Sequence, residues 1–242
     1  MRFVLVHGAW HDGSCWDAVA AELRGEGHEA HAPTLAGQGR GDVDRDVGHD
    51  DAVASAARFV EEAGLEDFVI VGHSYGGTVV SKLAERMPER IRRLVYVNAF
   101  VLVDGESLND ATPPHYVELM NHVKAERGDG TVVLPYPIWR EGFMNDADDA
   151  LARDVYENRL SPHPVRTIED KLELKIFPTL ELPRSFVNCT DDIALPPGEL
   201  GWFPRFYLRL GLCRLVQLPG GHETMFTNPA LLARKLVEAG RD

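Results

Sequence analysis

The segment Gly72-His73-Ser74-Tyr75-Gly76-Gly77 sets a serine between glycines at the spacing G-x-S-x-G. It follows the apolar run Phe68-Val69-Ile70-Val71 and precedes a helical stripe of Val79, Val80, Leu83 and Ala84. Strand, tight turn and helix are therefore expected in succession. In that setting the turn holds the serine in a strained backbone conformation, with its hydroxyl exposed at the positive end of a helix. A side chain at position 72 or 76 would clash across the turn. A hydroxyl so placed becomes a nucleophile for acyl transfer once a base removes its proton.

Of the ten histidines, His222 is the strongest candidate base. It lies in Pro219-Gly220-Gly221-His222, after the strand expected over Arg214 to Leu218 and before the last helix, at the sheet edge where Ser74 is expected. His7 ends the first strand beside Gly8 and is read as holding a loop. His73 sits inside the turn and is expected to point away from the serine. The base needs a carboxylate to fix its tautomer. Asp191 and Asp192 follow Cys189-Thr190 at the end of the penultimate strand, and two adjacent aspartates cannot both address one imidazole. The other is read as a turn-capping or solvated residue. Donors for a developing oxyanion are the backbone N–H of Tyr75 and that of Ala9, in His7-Gly8-Ala9-Trp10.

An α/β architecture would bring these distant segments together. The apolar runs Phe3 to Val6, Phe68 to Val71 and Leu94 to Val97 alternate with helical patterns at Ser14 to Arg24 and Asp51 to Glu62. Fully apolar strands between amphipathic helices predict a mostly parallel sheet covered on both faces. Residues 101–181 break the rhythm: prolines crowd in, and only helical fragments appear, at Tyr116 to Glu126 and Ala147 to Asn158. That segment is expected to be an inserted, mainly helical cap between two core parts, 1–100 and 182–242. In the second part the rhythm returns with strands at Ser185 to Val187 and Arg214 to Leu218. A last helix starts at Asn228-Pro229, an N-cap residue followed by proline. Tyr116, Met120, Tyr136, Trp139 and Phe143 could line an apolar acyl pocket beneath the cap or could simply pack it.

The chain has 242 residues, of which 44% are hydrophobic and 26% charged, the composition of an ordinary globular protein. Its net charge of −13 disfavours binding to nucleic acid or to an anionic membrane surface. No run approaches the ~18 apolar residues of a membrane span. Three scattered cysteines, Cys15, Cys189 and Cys213, read as reduced thiols of a cytoplasmic protein, with Cys189 a small buried hydrophobe. Gly37-Gln38-Gly39-Arg40-Gly41 lacks the spacing of a dinucleotide loop. His28-Glu29-Ala30-His31 is one residue short of a zinc motif. Asp42, Asp44 and Asp46 begin a calcium-loop pattern that Val47 and Val53 break. Asp146, Asp148 and Asp149 read as charge at a helix start. No metal or other cofactor is required. The oligomeric state stays open between a monomer and a homodimer.

The opening Val4-Leu5-Val6-His7-Gly8-Ala9-Trp10-His11, the turn Gly72 to Gly77, Cys189-Thr190-Asp191-Asp192 with Pro196 beyond, and Gly220-Gly221-His222 together resemble the α/β-hydrolase fold. The likeness is to the branch of plant methyl esterases, hydroxynitrile lyases and small bacterial esterases. It spans about two-thirds of the chain and implies the triad order Ser74, Asp, His222. In that branch the acid lies four residues before the proline, which implies Asp192. The lyases carry threonine after the first-strand histidine and lysine after the catalytic histidine; here Gly8 and Glu223 stand there. A carboxylate at 223 is expected to repel an anionic leaving group. The resemblance thus implies a serine hydrolase acting on a carboxylic ester or lactone of a small molecule through an acyl-enzyme. Its rivals are a lyase or C–C bond hydrolase on the same residues, and a small-molecule binding or signalling protein that keeps the triad.

Overall fold

The computed structural model describes all 242 residues. Six strands form one parallel sheet: β1 (Arg2–Val6), β2 (Glu29–His31), β3 (Phe68–Ser74), β4 (Ile91–Ala99), β7 (Arg184–Cys189) and β8 (Arg214–Leu218), in the order β2-β1-β3-β4-β7-β8. The remaining strands, β5 (Thr131–Val132) and β6 (His163–Pro164), form a separate antiparallel pair between β4 and β7.

Alternation of side chains along each central strand explains why these runs are apolar throughout. Val4, Val6, Ile70, Leu94, Tyr96 and Phe186 face one layer, which holds α2 (His49–Glu62) and α3 (Gly76–Arg86). Phe3, Leu5, Val69, Val71, Val95, Val97 and Val187 face the other, with α1 (Asp17–Gly25) and the C-terminal helix Pro229–Gly240. Each such side chain, fully buried, contributes roughly 1.5–3 kcal/mol. A polar residue on either face of these strands would forfeit that gain. The C-terminal helix begins as its sequence predicts, Asn228 accepting a hydrogen bond from the Leu231 N–H and Pro229 following at the first position.

The segment between β4 and β7 is mostly helical, with helices at Pro114–Arg127 and Asp149–Asn158. Its own small core gathers around Trp139, Met144, Ala152 and Val155. The β5–β6 pair was not legible in the sequence, because two-residue strands have no periodicity to read. The three cysteines are unpaired, and Cys189 is buried at the end of β7. No helix is long and apolar enough to cross a membrane.

Candidate active site

Ser74 ends β3 with φ at +52°, the left-handed region that a residue with a side chain seldom adopts. The flanking glycines make that turn available. A Cβ on Gly72 would lie 2.7 Å from the Gly76 carbonyl oxygen, and one on Gly76 would lie 2.7 Å from the carbonyl oxygens of both Val6 and His7. The chain then enters α3 directly, so Ser74 stands just before the helix N-terminus.

His222 and Asp192 meet from the ends of neighbouring strands. His222 Nδ1 lies 2.7 Å from Asp192 Oδ2, and both side chains are buried. Burial opposes protonation of His222, but Asp192 more than offsets it, and the imidazole titrates above its ordinary value. Phe143 packs edge-on against the His222 ring with centroids 5.1 Å apart, and Trp202 stacks on it, also at 5.1 Å. Both aromatics line the cavity that Ser74 lines. Ser74 and the histidine loop are tied more directly by His73, whose Nε2 donates to the His222 carbonyl at 3.0 Å. Thus His73 points away from the serine and holds the loop that carries His222. Burial, with His222 alongside, holds its own pKa well below the histidine range. The hydrogen bond that the His222 ring makes is to Asp192, and none joins it to Ser74 Oγ.

Asp191 takes the second role expected of the aspartate pair. Its carboxylate accepts from the Gly220 N–H at 2.9 Å, and its own N–H donates to the Gly220 carbonyl at 3.0 Å, so it fastens the loop that carries His222. Asp146 departs from its expectation. It does not serve the helix start, where Asp148 is the N-cap; it reaches back to accept from the Gly221 N–H at 2.8 Å.

Ala9 and Tyr75 both line the cavity beside Ser74, and neither backbone N–H donates to another protein group. Gly8 permits the close approach, since a Cβ there would lie 3.1 Å from the Ser74 Cβ. His7 holds the loop as expected: Nε2 accepts from the Leu35 N–H at 3.1 Å, which leaves Nδ1–H to donate to the Gly8 carbonyl at 2.9 Å. Burial keeps it neutral, with a pKa of about 4. Trp10, at φ +63°, then fastens the loop to the segment between β4 and β7. Its N–H faces His163 Nδ1 at 3.5 Å, its carbonyl accepts from the Ser161 N–H at 2.7 Å, and its indole donates to the Val132 carbonyl at 3.2 Å.

The cavity encloses about 710 Å³ including its mouth. Sixteen of its twenty lining residues are hydrophobic, so the ligand it suits is largely apolar. Tyr116, Met120 and Phe143 line it; Tyr136 and Trp139 pack the neighbouring small core instead. His163 lines it too, kept neutral by burial with a pKa of about 3, and nothing local in the sequence distinguished it. Glu223 does not face the cavity. Its carboxylate turns inward to within 3.0 Å of His11 Nε2, both residues almost fully buried and without the alignment of a hydrogen bond. Its charge is thus met by His11 and reaches the site through its effect on His222, whose pKa it helps to raise. What distinguishes the site from the lyase pattern is the missing lysine, together with glycine in place of threonine at position 8. Burial would raise the Glu223 pKa, but His11 and the surrounding imidazoles hold it down to about 2. No three His, Cys, Asp or Glu side chains are grouped to hold a metal ion.

Residues 3–235 match the alpha/beta hydrolase family, and the chain belongs to it. A carbendazim hydrolyzing esterase from a Nocardioides strain is 34% identical over 99% of each chain. Methylesterase 7 of Arabidopsis thaliana is 26% identical, over 98% of this chain and 95% of its own length. Among solved structures, an extracellular alpha/beta-hydrolase from a Paenibacillus species superposes with a TM-score of 0.97, at 35% identity over the whole of both chains. It is described as sharing structural and functional homology with tobacco salicylic acid binding protein 2.

Proposed function

We propose that this enzyme hydrolyses a carboxylic ester or lactone of a small, largely apolar molecule through an acyl-enzyme. Ester hydrolysis stands on the family and on the esterase relatives that match the full chain. The observation that carries the mechanism is the buried His222–Asp192 pair at 2.7 Å, set beside a serine held at φ +52°. In this reading Ser74 attacks the carbonyl while His222 takes its proton. The N–H groups of Ala9 and Tyr75 stabilise the oxyanion, and Asp192 holds His222 in the tautomer whose Nε2 can accept. His222 then protonates the leaving alcohol and activates water for deacylation.

The segment 101–181 acts as a cap: Leu108, Tyr116, Met120 and Phe143 cover Ser74 and set the shape of the acyl or alcohol pocket. A neutral substrate is favoured, because no charged side chain lines the cavity. The three free thiols support a cytoplasmic setting.

The deciding experiment uses Ser74→Ala against a panel of p-nitrophenyl esters and aromatic or aliphatic lactones. Parent enzyme should turn over apolar members and be labelled stoichiometrically by a fluorophosphonate, and the variant should do neither while keeping its fold. Undiminished turnover by the variant would refute the serine mechanism. Tight ligand binding with negligible turnover across the panel would favour a binding protein.

A further inference from the structure

We infer that Asn98 is a positioning residue for the reaction, aiming the carboxylate of Asp192 at His222; this builds on the reading of Asp192 as the partner of the base. Asn98 is the extra residue of a bulge in β4. The β3–β4 register pairs His73 with Val97 and then Ser74 with Ala99, so Asn98 has no partner across the ladder. It takes φ +32°, a region that asparagine tolerates better than most residues. Its side chain is buried and crosses to the end of β7.

There its amide is held by backbone on both sides. Oδ1 accepts from the Cys189 N–H at 3.0 Å, which fixes the oxygen and therefore the nitrogen. Nδ2 donates to the Cys189 carbonyl at 3.2 Å and to Asp192 Oδ2 at 2.6 Å. Asp192 Oδ2 thus receives Asn98 on one side and His222 on the other, while Oδ1 receives the Ala194 N–H at 2.9 Å. Three donors from three parts of the chain leave the carboxylate one orientation. Two residues beyond Asn98 the same strand end meets the nucleophile turn, the Phe100 N–H donating to the Ser74 carbonyl at 3.0 Å. One irregularity in β4 thereby registers the acid against the serine.

The test is Asn98→Asp, which keeps the shape and the acceptor for Cys189 but replaces the donor facing Asp192 with a carboxyl oxygen. The other ionisable groups nearby are His222, Cys189, Asp191, Asp146 and Glu223, none of which the substitution alters. While the two carboxyls share one proton, the O–H can still donate; once both ionise, they repel and Asp192 swings off the imidazole. The pH profile of kcat/KM, expected to have only an acidic limb in the parent, should become bell-shaped with a lower maximum. Asn98→Ala should lower kcat about 10- to 100-fold with KM within about twofold, as loss of an outer partner that orients a histidine ligand does. A parental profile for Asn98→Asp, or parental kcat for Asn98→Ala with only Tm reduced, would overturn the role. Asp192→Asn run alongside separates the two readings. If it is inactive while both Asn98 variants behave as parent, Asn98 alone is refuted; if it is fully active, the assignment of Asp192 falls and takes this role with it.

Discussion

Acidification should act on this enzyme twice, and the two effects have separable causes. His7 and His49 are buried neutral with pKa values of about 4, and His163 with one of about 3, in each case because burial penalises the charged form. In the unfolded chain all three would titrate near 6.5. The unfolded state therefore binds more protons as pH falls through that value, and stability present above pH 6.5 is progressively lost below it. At pH 5 each histidine costs about 2 kcal/mol, from 1.5 units at 1.36 kcal/mol per unit, and the three together about 6 kcal/mol. That is comparable with the whole stability of many domains. His73 adds in the same direction. His222, whose pKa is raised, opposes them: its contribution is full below 6.5 and is lost as pH climbs through its folded value. Glu223, held at about 2, loses nothing at pH 5. Urea midpoints measured from pH 8 to pH 5 should fall steeply below 6.5, and His49→Gln should flatten that slope. Meanwhile kcat/KM should fall on an acidic limb lying above pH 6.5, where the protein is still folded, and recover fully on return to pH 8. Urea midpoints unchanged between pH 8 and 5 would refute the burial argument, and a rate unchanged over that range would refute His222 as base.

Asp192→Asn should leave the site's shape intact but present an amide to His222, lowering kcat by about 10³- to 10⁴-fold, as steady-state assays with purified variant would record. Gly76→Ala forces a Cβ against two carbonyl oxygens of β1 and its exit loop, so thermal denaturation should show a loss of at least about 1–3 kcal/mol. Trp202→Ala strips the stacked ring from His222 and lets water reach it. With less desolvation to hold the imidazole's pKa down, the acidic limb should move to higher pH, and a pH–rate series would detect the direction.

The parts of the candidate site with a local signature could be placed from the chain. Ser74 announced itself through its glycines and the flanking strand and helix, and His222 through its place after β8. The central strands were legible through inner runs such as Phe68 to Val71 and Leu94 to Val97, where burial on both faces leaves no polar residue; β2 was faint because it is three residues long at the sheet's edge. What escaped the sequence depends on long-range geometry. Nothing near Asn98 marks a bulge whose amide meets a carboxylate 94 positions away. Glu223 was placed correctly in the chain but faces the opposite way, because His11 offers a buried partner that no spacing rule reveals. Asp146 was read as local helix charge, whereas Gly221, 75 residues on, claims it.

The three hydrogen bonds of Trp10 join the turn that bears Ala9 to β5, to Ser161 and to His163. Substrate range in such an enzyme would be sought by exchanging the covering segment, yet here that segment also tethers the turn proposed to receive the oxyanion. A transplanted cover lacking acceptors equivalent to Val132 and His163 would release the Trp10 turn from its left-handed backbone state. Reshaping the pocket one side chain at a time, at Leu108, Met120 or Leu119, leaves those bonds in place, because these residues line the ligand space and make none of the hydrogen bonds of Trp10.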